Sequence, residues 1–375
     1  MDPNDLIYDW NRLPGSFAYA GVNVELDDET LRDGLQNPTV KDPPIGRKIE
    51  MLHLIAEMGI QAADIGLPGA GPRAREAVMA LATEIAEQGL PVAPNCAARN
   101  VKADIAPIVD VAQATGLKME VGAFIGCSPI RQYAEGWGLE MLLRTTEEAV
   151  TFAAQEGLDV MYVTEDTTRS RPETLKALYT TAIECGARRI CLADTVGHST
   201  PFGVRQLVRF VRKVIFDSGE DVKIDWHGHR DRGLAMPNAL AAIEEGADRV
   251  HGTALGIGER VGNTAMDLLL VNLKLLDMHD VDLTRWTDSY VYSGGTVPTW
   301  RWVDSLDRYK YDSWPVNTAT DRLRRDLQSR CDRANANGAD LFVSIHNNAG
   351  GSASGAETYR APQDPLGERF ASDVQ

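Results

Sequence analysis

Basic residues are scarce in this chain. Lys and Arg number 38 against 54 Asp and Glu, a formal net charge of −16 over 375 residues. Such an acid surplus opposes nonspecific contact with nucleic acid or an anionic membrane, so neither partner is expected. No apolar run approaches membrane-spanning length. The opening stretch, MDPNDLIYDWNRLPG, lacks the basic start and apolar core of a secretory signal. Cysteines are few: Cys96, Cys127, Cys185, Cys191 and Cys331, with no CxxC spacing and mostly inside apolar runs. That pattern suits buried thiols in a reducing compartment better than a disulfide framework, and a cytoplasmic location is expected. A glycine-rich phosphate fingerprint is also missing after the first strand-like run, which argues against a doubly wound nucleotide-binding sheet.

What the chain does contain is one pattern repeated. Strand-like runs occur at 22–26, 62–67, 91–97, 118–125, 159–165, 189–194, 223–229 and 249–256. Between them lie stretches such as GRKIEMLHLIAEMG and PFGVRQLVRFVRKVIFDSG, whose apolar residues recur at three and four and which end in glycine. Strict strand–helix alternation implies parallel strands joined by crossover helices. Eight such units in about 270 residues predict an α/β fold, a (β/α)8 TIM barrel, followed by a short, atypical C-terminal α/β appendage. The boundaries read as an N-terminal extension (1–19), the barrel (20–290), an aromatic-rich linker (291–319) and a further segment (320–375).

A barrel of this kind carries chemistry at the C-terminal ends of its strands. Titratable residues collect there: DDETLRDGLQ after the first strand, TEDTTR after the fifth, DTVGH after the sixth, HGHRD after the seventh and GIGER after the eighth. Any one of these acids or arginines is as readily an ordinary rim ion pair, and only the conjunction carries weight. His227 and His229 stand two apart on one strand, so both imidazoles face the same way, as half of a metal site requires. An arbitrary HxH is more often a hydrogen-bonded pair, but the position at a strand end favours ligation.

The motifs TLRDGLQ (30–36), EDTTR (165–169), ADTVGHSTP (193–201), HGHRDRGLAMPNALAA (227–242) and GIGERVGN (256–263), in this order and one per expected strand, resemble the DRE-TIM metallolyase superfamily. That group contains isopropylmalate, homocitrate and citramalate synthases and hydroxymethylglutaryl-CoA lyase. The resemblance spans about residues 20–290. It implies a divalent metal (Mg, Mn or Zn) on Asp33, His227 and His229, with Asn263 as a further ligand. It implies Arg32 as the cation that neutralises a developing oxyanion, its plainer role being to pair with Asp33 or Glu165. Glu165 is a candidate base by position, and Thr195 and Asp64 fall at substrate-binding positions. Arg169 is grouped with the substrate-binding residues, its expected action being to orient Glu165, and Asp194 is expected to be a hydrogen-bonding scaffold.

The lyase branch carries a catalytic cysteine in the loop after the eighth strand, where this chain reads GIGERVGN. That implies the synthase type: Claisen condensation of acetyl-CoA with a 2-oxo acid by a homodimer. RDGLQ, with Leu35 where many synthases have an acid, is lyase-like, so a carbon–carbon lyase is the alternative. Residues 322–359, with ADLFVSIHNNA and GAETY, resemble the middle of a zinc N-acetylmuramoyl-L-alanine amidase. His346 takes the place of one zinc ligand there. The earlier histidine and glutamate ligands and the later catalytic glutamate have no counterpart, so an incomplete half is expected, its strand edge left unpaired. Amidase activity and an inactive fusion remnant complete the set of readings.

Overall fold

The computed structural model describes residue 10, residues 13–19, 21–37 and 40–278, and the backbone of 287–292 and 295–300. The chain divides into two units, Met1–Val281 and Asp282–Gln375. In the first, eight parallel strands close into a barrel in sequence order. They are β1 (Glu25–Asp28), β2 (Ala62–Asp64), β3 (Ala93–Arg99), β4 (Glu120–Gly126), β5 (Asp159–Glu165), β6 (Arg189–Asp194), β7 (Lys223–Gly228) and β8 (Arg249–Gly252). Four registered pairs, Glu25↔Arg249 to Asp28↔Gly252, close β1 on β8. The helices are α1 (Ile45–Glu57), α2 (Pro72–Gln88), α3 (Lys102–Thr115), α4 (Pro129–Glu135), α5 (Leu139–Gln155), α6 (Pro172–Glu184), α7 (Pro201–Ser218), α8 (Ala235–Glu244) and α9 (Met266–Leu275).

Helix α7 shows how the sequence builds the outer ring. The Thr200 hydroxyl accepts from the Gly203 amide, Pro201 occupies the first turn, and Gly219 ends the helix at φ 75°. Val204, Val208, Val211 and Ile215 recur at three and four and are buried against the barrel. Each such side chain contributes roughly 1.5–3 kcal/mol on full burial. Among the described residues no helix is long and apolar enough to cross a membrane.

Several boundaries differ from expectation. β1 begins at Glu25 rather than Val22, because only from there does it pair with β8. β8 stops at Gly252, since Ala254–Gly256 turn into a 3-10 segment with Leu255 at φ 52°. α4 is an element the periodicity did not reveal: seven residues capped by Ser128 and cut from α5 by Gly136–Gly138. In the second unit, Thr287–Tyr292 and Gly295–Trp300 form an antiparallel hairpin. The rest of the linker and the amidase-like segment, with His346 and the expected DLFVSIH strand, lie outside the described residues.

The barrel interior departs from the usual layers of branched aliphatic side chains. Arg249 pairs with Asp225 at 2.7 Å and with Glu120. Arg189 holds Asp225 at 2.7 Å, Glu25 at 2.9 Å and Glu120 at 3.4 Å. The Asn95 amide donates to both Asp27 oxygens, at 2.8 and 3.0 Å. Burial opposes the charge on Asp225, but Arg249 and Arg189 hold its carboxyl well below the usual range. His251 lies between Asp225, 2.9 Å from Nε2, and Glu29, 3.0 Å from Nδ1.

Burial alone would lower the His251 pKa, yet Glu29 and Asp225 push it up to about 10 from an ordinary 6.5. A raised histidine contributes stability that is complete below pH 6.5 and is lost as pH rises through 10. With metal chelated, Tm is therefore expected to fall across that window, and His251→Gln to flatten the fall. Equal slopes in the two proteins would count against the ion pair.

Candidate active site

At the C-terminal mouth of the barrel lies a cavity of about 250 Å³. Seven of the residues singled out from the sequence line it: Arg32, Asp33, Asp64, Glu165, Thr195, His227 and His229. The β7 alternation places His227 and His229 on one face, with Nε2 atoms 3.1 Å apart. Asp33 Oδ2, in the turn after β1, is 3.7 Å from each. All three side chains are buried, and their ligand atoms lie within 4.8 Å of one another. His229 itself falls one residue past β7, where it forms an isolated antiparallel bridge with Asn263.

These residues fit a divalent metal. Nitrogens bound at about 2.0–2.1 Å to one ion sit about 3 Å apart, near the separation seen here. Asn263 is 2 % exposed, and its side-chain oxygen and nitrogen have no hydrogen-bond partner among the described residues. A Cβ on Gly258 would come within 2.6 Å of Asn263 Nδ2 and 3.0 Å of Asp33 Oδ1, so a glycine there lets both groups share the space beneath the loop. Burial and the nearby His227 bring the His229 pKa down to about 4, which leaves its imidazole neutral with a lone pair for a ligand. One carboxylate, two imidazoles and an amide oxygen suit Mg, Mn or Zn.

Two groups that sequence reasoning passed over support this cluster. Glu29 Oε2 lies 2.7 Å from His227 Nδ1, while Oε1 meets Arg32 at 2.9 Å and His251 at 3.0 Å. Burial opposes ionisation of Glu29, but His227, Arg32 and His251 hold it well below the usual carboxylate range. A carboxylate on Nδ1 fixes the tautomer that turns Nε2 towards a metal. Alternation along β1 was the available signal, since Glu25, Asp27 and Glu29 share one face. We expect Glu29→Gln to weaken metal affinity roughly 10–100-fold with the fold intact, read by metal titration. Unchanged affinity would leave Glu29 a structural acid only.

Arg32 spreads its guanidinium over three carboxylates: Nε to Asp64 at 2.6 Å, Nη2 to Glu29 at 2.9 Å and Nη1 to Asp33 at 3.3 Å. Of the alternatives weighed from sequence, Asp33 is a partner and Glu165 is not among its ion pairs. Burial pushes Asp64 up to about 7 despite Arg32. Glu165, at the end of β5, is likewise raised by burial, against Arg131 and with Glu259 reinforcing. The Thr195 hydroxyl accepts from the Asp166 amide at 2.8 Å. Arg169 corrects an expectation: its fork closes on Asp166 at 2.6 and 2.7 Å rather than on Glu165, and it does not line the cavity. Asp194 is a scaffold, accepting from Thr168 at 2.8 Å and from the His198 amide at 2.9 Å. Among the described residues Cys96, Cys127 and Cys191 are buried, and burial pushes the Cys127 thiol up to about 12.

Comparison with known proteins bears on this arrangement. A homocitrate synthase of Methanopyrus kandleri is 35% identical over 295 residues, covering 76% of this chain and 70% of its own. A 2-isopropylmalate synthase of Sulfolobus acidocaldarius is 36% identical over 271 residues, 72% of this chain and 67% of its own. Among solved structures, a hydroxymethylglutaryl-CoA lyase from Pseudomonas aeruginosa superposes with a TM-score of 0.60 at 20% identity, covering 82% of this chain and 98% of its own, a likeness of fold. The family model for N-acetylmuramoyl-L-alanine amidase matches residues 227–375, which include the segment with that resemblance. The HMGL-like model matches residues 23–289, the whole of the barrel, and the chain belongs to that family.

Proposed function

We propose that the barrel is an acyltransferase that condenses acetyl-CoA with a 2-oxo acid, in the manner of a 2-isopropylmalate synthase. The observation that carries the reading is the meeting of Asp33, His227 and His229 with the Arg32 guanidinium in one cavity at the mouth of the barrel. Asp33, His227, His229 and Asn263 would hold a divalent metal, which would supply Lewis acidity towards the keto carbonyl. Arg32 has five N–H donors, of which three are taken by Asp64, Glu29 and Asp33, and the remaining two serve the alkoxide that develops from the ketone. Glu165, raised by burial, takes the proton from the acetyl methyl group. The resulting carbon nucleophile forms the new C–C bond, and water then cleaves the thioester to a carboxylate and free CoA thiol. Asp64 and Thr195 bind substrate in this reading, and Arg169 acts through Asp166 as a positioning residue.

Lyase chemistry is the second reading, favoured by Leu35 in RDGLQ. Against it, the loop from Gly256 to Asn263 brings Glu259 to the cavity and contains no cysteine. The two separate in a thiol assay. Condensation predicts that free CoA appears from acetyl-CoA only when a 2-oxo acid is present. Cleavage of a hydroxyacyl thioester, with no thiol released in the mixed assay, would replace synthase by lyase.

A further inference from the structure

The loop after β8, residues 256–263, ends in Asn263 and brings Glu259 to the cavity. It is folded tightly on itself. The Asn263 amide donates to the Gly256 carbonyl at 3.1 Å, and the Gly262 amide to the Glu259 carbonyl at 2.9 Å. Gly262 sits at φ 107°, and a Cβ there would stand 1.9 Å from the Gly256 carbonyl oxygen, so the two ends of the loop touch without slack. Such a loop moves as one piece, and whatever anchors its tip also places Asn263.

The anchor is Arg260. Its backbone adopts φ 53°, a left-handed conformation that is unfavourable for a residue with a Cβ and persists where surrounding contacts impose it. Those contacts come from other loops. Nε donates to Asp231 Oδ1 at 2.7 Å and Nη2 to Asp231 Oδ2 at 3.0 Å, a two-pronged fork on the turn after β7. Nη2 also donates to the Thr195 carbonyl, beyond the end of β6. Arg230, beside Asp231, grips the other flank: its amide donates to the Gly262 carbonyl at 3.0 Å and its guanidinium to the Val261 carbonyl. Arg230, Asp231 and Arg260 do not line the cavity, so they are not placed to touch a reactant. The Arg260 and Asp231 side chains are 37 % and 24 % exposed, and an ion pair that open to solvent contributes little to global stability. Its effect is local, on the loop it holds.

We propose that Arg260 and Asp231 are positioning residues whose ion pair clasps the loop after β8 across the turn after β7 and so holds Asn263 in place beside Asp33, His227 and His229. The inference rests on the proposed ligand set. Charge acting through space makes the opposite demand on Arg260. Its cation opposes positive charge at His229, so by charge alone its loss would favour a bound metal ion. By charge alone, losing both partners together would change little. A clasp requires that either loss, and the joint loss, weaken the site alike.

The test is calorimetric titration of Mn²⁺ into the full, chelator-treated chain. We expect Arg260→Gln and Asp231→Asn each to weaken Mn²⁺ binding at least about tenfold, the loss typical when a group that orients a metal ligand is removed. The double variant is expected to bind no more weakly than either single one, because both act through one contact. The melting temperature of the metal-free chain is expected to stay near that of the wild type in all three. Should Arg260→Gln misfold, Arg260→Lys, which keeps the charge and loses the fork, is expected to show the same loss. Unchanged or tighter Mn²⁺ binding by the Arg260 variant, or wild-type binding by the double variant, overturns the clasp and leaves the ligand set standing. A wild-type chain that binds no Mn²⁺ overturns both.

Discussion

Replacing His227 or His229 by alanine is expected to strip the barrel of its metal and lower turnover roughly 10³-fold, with the fold intact. Each imidazole is one of few ligands in a buried cluster, and their Nε2 atoms stand 3.1 Å apart, so neither neighbour can fill the vacated place. Lewis-acid polarisation of a carbonyl is worth several kcal/mol, and each ~1.4 kcal/mol is tenfold in rate. The fold survives because the charges left behind remain paired. Without His227, Glu29 keeps Arg32 and His251; without His229, Asp33 keeps Arg32. Strand β7 stays anchored by Ile224 and Trp226, both fully buried. Elemental analysis decides: full metal content in both variants would move the site elsewhere, and a lost cooperative melt would show that the histidines hold the barrel itself.

Arg32→Lys is expected to be nearly as damaging as Arg32→Ala, by roughly 10²–10³ in turnover, the loss that follows removal of a preorganised oxyanion donor. Lysine restores the charge but not the shape. Three nitrogens of Arg32 meet three carboxylates, Asp64 on β2 and Glu29 and Asp33 in the turn after β1, and one ammonium cannot span that set and still face the cavity. The comparison therefore separates charge from geometry. Turnover of the lysine variant within a few-fold of wild type would assign Arg32 to neutralising buried acids and leave the oxyanion to another donor.

The barrel was legible because its signals are local. Strand–helix alternation and glycine stops are properties of neighbouring residues, and all eight strands lie where the runs suggest, give or take a few residues at their ends. Asp33, His227 and His229 were legible because a period of two on one strand puts two imidazoles on one face, and because the motif order matches a known family. What remained hidden is what depends on distant parts of the chain. His251 sits inside an apolar run and meets Glu29, 222 residues away, which no spacing rule reveals. Arg169 was assigned to the wrong acid for a smaller reason: Asp166 adopts φ 59°, which swings its carboxylate under the guanidinium three residues on. Helix α4 is two turns long, too short for a period to show.

The charges inside the barrel have a consequence for how the chain reaches its native state. Inward-facing Glu25, Asp27 and Glu120 belong to the first four strands and Glu29 to the turn after β1, whereas Arg189, Arg249 and His251 belong to the last four together with one acid, Asp225. Each half-barrel is thus electrostatically unbalanced, the first acidic at these positions and the second with three cations to one acid, Asp225, so each carries counter-ions that the other needs. An early half-barrel cannot bury its own interior without desolvating unpaired charge, at a cost of several kcal/mol per ion. Packing of the interior is therefore deferred until β1 meets β8, and assembly is all-or-none across contacts more than a hundred residues apart, as between Glu120 and Arg249. The same complementarity makes the two halves mutually attracting fragments, so a chain cut between β4 and β5 retains in its charges the instruction to reassemble.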